Sequence, residues 1–112
     1  MPEDTAKRIA ALNDRFRKEP TRYGKAYVTD GVEALGDEFR QKALHAVATF
    51  DSFSADNDPY GEHDFGAIIV DGERLFWKID YYSTEDPDLG SEDPSDESRT
   101  ARVMTIMLAE EY

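Results

Sequence analysis

An Asp71-Gly72 pair stands between two runs of strand-forming residues, Phe65 to Val70 and Glu73 to Tyr82. Asp-Gly is favoured in a two-residue hairpin turn because both turn positions take positive φ, and the resulting type I′ turn matches the twist of the strands it joins. Such a turn leaves no freedom of register. Val70 is therefore expected opposite Glu73, Ile69 opposite Arg74, Phe65 opposite Lys78 and, continuing the ladder, His63 opposite Asp80. One face then carries Asp64, Ile68, Val70, Leu75, Trp77, Ile79 and Tyr81 and reads as core. The other face, with His63, Phe65, Ala67 and Ile69 beside Arg74, Phe76, Lys78 and Asp80, is mixed and turns polar toward the open end of the hairpin. A ribbon of two strands is marginal in water, so other elements must pair with it and cover it.

Those elements are legible on either side. Ile9, Leu12 and Phe16 recur at helical spacing between Asp4 and Lys18, with Asp4 or Thr5 as cap and Pro20 as the stop. Lys7, Arg8, Arg15, Arg17 and Lys18 read as the solvated side of that helix. Gly24 to Thr29 alternates and reads as a short strand closed by an Asp30-Gly31 turn. A second helix is expected from Asp37 to Phe50, with Phe39, Ala43, Ala46, Val47 and Phe50 on one stripe and His45 at the surface. Asp51 to Asp64 is polar and turn-rich, and Thr84 to Ser98 is an exposed loop with seven acids. Arg102 to Tyr112 fits a strand or a short helix, and the strand is preferred because the hairpin needs a partner. The fold class is α+β: two helices packed on a small, mainly antiparallel sheet, in a single domain over 1–112.

Charge narrows the function. The net charge of −12 is unevenly spread: residues 51 to 98 hold fifteen Asp/Glu against two Lys/Arg, whereas residues 1 to 50 are balanced at eight against nine. Duplex affinity comes largely from Lys and Arg displacing condensed counterions, so direct nucleic-acid binding is not expected, and a basic protein partner is the natural counterpart. Cysteine is absent, which removes disulfides, thiolate metal sites and cysteine nucleophiles. No apolar run approaches the ~20 residues of a membrane span. With no secretion-signal pattern at Met-Pro-Glu-Asp-Thr, a cytoplasmic protein is expected. There is no Gly-rich phosphate loop.

Four segments resemble a known family: Ala11-Leu12-Asn13-Asp14-Arg15-Phe16, the stretch from Asp56 to Gly66, Phe76-Trp77-Lys78-Ile79-Asp80-Tyr81-Tyr82, and Met107 to Tyr112. Together they resemble domain of unknown function 3768, over Ile9 to Tyr112. The resemblance implies a stand-alone bacterial domain, frequent in alphaproteobacteria and on their plasmids. It brings no activity, cofactor or catalytic residue with it.

The residues themselves offer two chemistries. Asp58, Tyr60, Glu62, His63, Asp64, Lys78, Asp80 and Tyr82 cluster around the hairpin as candidate binding residues, with rings for anchoring area and carboxylates for steering a basic partner. No cofactor is required by that reading. The alternative is a divalent metal held by Glu62, His63, Asp64 and Asp80, activating water for phosphoester hydrolysis with Lys78 steadying the developing charge. A calcium loop from Asp56 to Ala67 matches poorly, because Tyr60 and Ala67 occupy ligand positions. The sequence names neither a partner nor an oligomeric state.

Overall fold

A computed structural model describes residues 2–112, with side chains from residue 4 onward. The elements in order are α1 (Pro2–Lys18), α2 (Pro20–Tyr23), β1 (Lys25–Val28), α3 (Asp30–Glu33), α4 (Asp37–Thr49), β2 (Phe65–Val70), β3 (Glu73–Ser83) and β4 (Thr100–Leu108), with 3-10 turns at Glu97–Arg99 and Ala109–Glu111. The sheet order is β1-β4-β3-β2; β1 runs parallel to β4 and the other pairs are antiparallel. The α+β, mainly antiparallel architecture is the one the sequence implies. Asp30-Gly31 does not close a turn; it opens the one-turn helix α3, whose Gly31 amide and neighbouring Thr29 hydroxyl both donate to the Glu111 carboxylate.

The hairpin adopts the expected register from Val70↔Glu73 to Phe65↔Lys78. Its turn residues have φ of 50° at Asp71 and 81° at Gly72, the left-handed pair that Asp-Gly tolerates. The helices lie on the face carrying Ile68, Val70, Leu75, Trp77 and Ile79, where these residues join Phe16, Val32, Phe39, Ala43, Val47, Met104 and Ile106 in one core. Trp77 fills its centre, fully buried, and Gly66 on the neighbouring strand is the space it occupies: a Cβ there would sit 2.5 Å from the indole nitrogen. Gly66→Ala is therefore expected to cost about 1–3 kcal/mol, as overpacking of a filled core does, and urea denaturation followed by Trp77 emission measures it.

The opposite sheet face has no helix over it among the described residues. Phe65 stacks on Phe76 with ring centroids 5.4 Å apart, and Tyr112 meets Phe76 at 5.2 Å. Lys78 and Asp80 form an ion pair at 3.0 Å on this face. Ile69 is 75% exposed at its edge.

Candidate polar site beneath the hairpin

The His63–Asp80 pairing does not form. β2 begins at Phe65, and His63 has φ of 58°, which turns it out of the ladder and onto the helix side of the sheet. Regular alternation fails there because Asp58 holds the loop from within. Its carboxylate is nearly buried and accepts from the amides of Glu62 (3.1 Å) and His63 (3.2 Å), closing the Pro59-Tyr60-Gly61 bend.

Once turned, His63 meets α1. Its Nδ1 lies 3.0 Å from Asp14 Oδ1 and its Nε2 3.7 Å from Asp58 Oδ2, so the ring sits between two carboxylates. It stacks flat on Phe53, centroids 3.8 Å apart and 2° between planes. Asp14 also accepts from Arg17 at 2.6 Å. The buried Arg17 reaches across to the end of α4 and donates to the carbonyls of Val47 (2.5 Å) and Phe50 (3.0 Å). Those are carbonyls of a helix C-terminus, where a cation offsets both the missing hydrogen bonds and the dipole. A cleft of about 440 Å³ opens above, with Asp14, Lys18, Thr49, Asp51, Phe53 and His63 among its walls.

A second polar chain runs deeper. Arg102 Nε donates to Asn13 Oδ1 at 2.7 Å. Asn13 Nδ2 donates to the Glu62 carbonyl and to the Tyr81 hydroxyl, each at 2.9 Å, and Tyr81 donates in turn to Glu62 Oε1 at 3.0 Å. Burial, chiefly, pushes the Tyr81 hydroxyl above its usual range, so it stays a neutral donor. Burial likewise lowers Arg102 from its usual value.

Of the sequence-derived site residues, Asp58, Glu62 and His63 therefore converge. Asp64 adjoins them. Tyr60 points into solvent at 80% exposure, while Lys78, Asp80 and Tyr82 lie on the open sheet face away from His63. Among the described residues no three His, Asp or Glu side chains are arranged to hold a metal ion, and the set Glu62, His63, Asp64 and Asp80 is divided between the two faces. Asn13, Asp14, Arg17, Phe53 and Arg102 belong to the site and were not among the candidates.

Asp64 carries a testable cost. Burial first, then the charges of Glu62, Asp58 and Asp80, raise its carboxyl above the ordinary 3.8. A raised folded-state value means that the protonated group favours the fold: its contribution is complete below the unfolded value and is lost as pH rises through the folded one. Asp64→Asn removes the charge and keeps an acceptor oxygen. The variant is expected to melt above wild type at neutral pH, the gain vanishing as pH falls into the carboxyl range; a gain that persists in acid would refute the electrostatic account.

The acidic segment 84–98 is tied to this site rather than loosely appended. Tyr82 pairs with Gly90, Ser83 N donates to the Leu89 carbonyl at 2.8 Å, and Arg102 donates to the Pro94 carbonyl at 2.5 Å. Asp86, Asp93 and Asp96 each accept from the amide two residues on, the local bond that fixes a polar turn. Glu92 pairs with Arg99 at 3.3 Å and Glu97 with Arg15; the other five acids make no ion pair among the described residues. Glu85, Asp86, Leu89, Glu92 and Arg99 are among the residues lining a hollow of about 190 Å³, the last two paired with each other.

No curated protein and no solved structure matches the chain. The family model for proteins of unknown function DUF3768 matches residues 28–111. Asn13, Asp14 and Arg17 precede that segment, yet they complete the polar site built from 58–63, 81 and 102 within it. With most of its length matched, the chain belongs to the DUF3768 family of proteins of unknown function.

Proposed function

We propose that this protein is a non-enzymatic interaction module that docks on an Arg/Lys-rich face of another protein. The observation that carries the reading is the acid-bordered hollow in segment 84–98, fixed in shape by its own turns and by β3 and β4. Acids held in place before encounter bind a cation with less ordering cost than acids on a free loop, and Leu89 beside them offers apolar surface to the stem of a long basic side chain. Glu85, Asp86 and Asp88 are exposed and carry no ion pair among the described residues. The same surface imitates a row of phosphates, so the partner is a face that otherwise holds nucleic acid, and the protein acts as its inhibitor, carried by a bacterial mobile element and working in the cytoplasm. Direct contact with nucleic acid has no place in this reading.

Titration with an Arg-rich peptide at physiological salt tests it. Reversing Glu85, Asp86, Asp88 and Glu92 is expected to weaken binding at least tenfold, whereas reversing Asp37, Glu38, Glu73 and Glu110, an equal change of charge elsewhere, leaves most of it. Equal losses in the two variants would mean that net charge, not this surface, attracts the peptide.

One arrangement favours a second reading. His63 keeps a left-handed backbone conformation that is uncommon outside glycine, and the Asp14–His63 pair borders an open cleft. Conformations of that kind gather where a side chain must be aimed. A carboxylate–imidazole pair so placed suits proton transfer to a small ligand, including a phosphoester. Turnover of a chromogenic diester that is lost in both His63→Gln and Asp14→Asn would support it, and turnover unchanged by them would remove it.

A further inference from the structure

β2 is an edge strand, and nothing within the described chain pairs with its outer side. In the hairpin, Val70 flanks the two-residue turn and the Asp64 carbonyl accepts from Ile79 N, so the even-numbered residues 64, 66, 68 and 70 bond to β3. Phe65, Ala67 and Ile69 therefore direct their N–H and C=O groups away from the sheet. None of these six groups has a backbone or side-chain partner among the described residues. Natural edge strands are usually blunted by a lysine, a proline, a bulge or extreme shortness. Phe-Gly-Ala-Ile-Ile-Val has six residues, no charge and no proline, and it presents Ile69 at 75% exposure.

We infer that this edge is the seam of a symmetric dimer, in which β2 pairs antiparallel with β2 of a second copy about a two-fold axis at Ala67. The pattern of the strand identifies the occupant. With Ala67 opposite its own counterpart, Phe65 falls opposite Ile69 of the second copy and Ile69 opposite its Phe65. All six outward N–H groups of the two strands then meet all six outward carbonyls. Large, small, large along one strand meets large, small, large along the other, which is the self-complementarity an isologous contact requires. An aromatic ring opposite a β-branched side chain is among the better cross-strand pairs. Phe76 already packs on one side of the Phe65 ring, and Ile69 of the second copy would take the other. Charge points the same way. The acidic excess of the chain lies in residues 51–98, and within that segment β2 is a stretch free of acids where two copies can approach without opposing carboxylates. The result is a continuous eight-stranded sheet with the helices of both copies on one side.

Sedimentation equilibrium across the micromolar range, with amide hydrogen exchange by NMR, tests this. Wild type is expected at twice the 12.7 kDa monomer mass, with the Phe65, Ala67 and Ile69 amides protected in proportion to dimer. Ala67→Lys and Ile69→Lys place like charges at and beside the axis while both side chains face solvent in the single chain. Each is expected to weaken association at least tenfold and to leave the melting of the monomer little changed, whereas Tyr27→Lys, at the opposite edge, has no effect. A wild-type monomer throughout the range would overturn the inference, whether water or another protein then occupies the edge. So would a dimer whose three amides exchange freely, or one that Tyr27→Lys dissociates and Ile69→Lys does not.

Discussion

Replacing Arg17 with alanine is expected to remove about 3–5 kcal/mol of stability, the largest loss from any single polar substitution in this chain. The guanidinium is 4% exposed and makes three bonds at once: to Asp14 on its own helix and to the Val47 and Phe50 carbonyls of α4. Its Nε has no partner and lies among rings, with the cation centre 5.3 Å from the Phe53 ring and 5.1 Å from Trp77. Removing it leaves the end of α4 without its cation, the buried Val47 carbonyl without its side-chain donor and the half-buried Phe50 carbonyl without its own. Arg17→Met separates bulk from bonding, since it restores volume but no donor, and it should recover only a minor part of the loss. Against a typical total of about 5–15 kcal/mol, the deficit should appear as a fall in melting point on the order of 10–20 °C. A fall of only a degree or two in both variants would show that α1 and α4 are held by their apolar contacts alone.

Asn13 comes second. It is fully buried and supplies an acceptor to Arg102 and two donor hydrogens, one to Tyr81 and one to the Glu62 carbonyl. Asn13→Ala leaves those three groups to find partners in a closed space, at a cost of about 2–4 kcal/mol. Asn13→Asp is more diagnostic because it keeps the shape. At neutral pH the carboxylate still accepts from Arg102 but offers the Glu62 carbonyl an oxygen instead of a hydrogen, and its loss should approach that of alanine. In acid the protonated group regains one donor, so part of the stability should return relative to wild type. Urea midpoints measured at the two pH values decide it: a deficit independent of pH means that the lost donor is not what matters.

How much of this could be read from the chain depended on the range of the contact. The hairpin was legible because turn chemistry sets register over a few residues, and α4 because Phe39, Ala43 and Val47 repeat at helical spacing. β4 emerged as the strand that the hairpin's need for a partner favoured. The polar site was half legible. Asp58, Glu62 and His63 announced themselves by chemistry, but the period-two reading was carried past the true start of β2, which put His63 opposite Asp80 and on the wrong face. Arg17 was assigned to solvent because charge ordinarily lies there. A signal was present: Ile9, Asn13, Phe16 and Arg17 occupy successive turns of one buried stripe, so two polar residues stood in register with the apolar ones. Their partners lie far along the chain, at Val47, Glu62, Tyr81 and Arg102, and no local pattern points to contacts of that span.

The strand order has a temporal consequence. β4, the last strand in sequence, is inserted between β1 and β3, pairing residues 103–106 with 25–28 on one side and 100–108 with 75–83 on the other. Until it arrives, β1 has no neighbour, and the hairpin exposes the flank of β3 on which half its ladder depends. Asn13 likewise waits for Arg102. During synthesis the ribosome releases α1 and α2, an unpaired β1, α3 and α4, and an incomplete ribbon, none of which closes the Trp77 core alone. Closure of the sheet thus waits for β4 to become free, and pairing over separations as long as those of β1 and β4 slows folding. Until β4 is free, a nascent chain of this kind stays pliable and visible to chaperones and proteases.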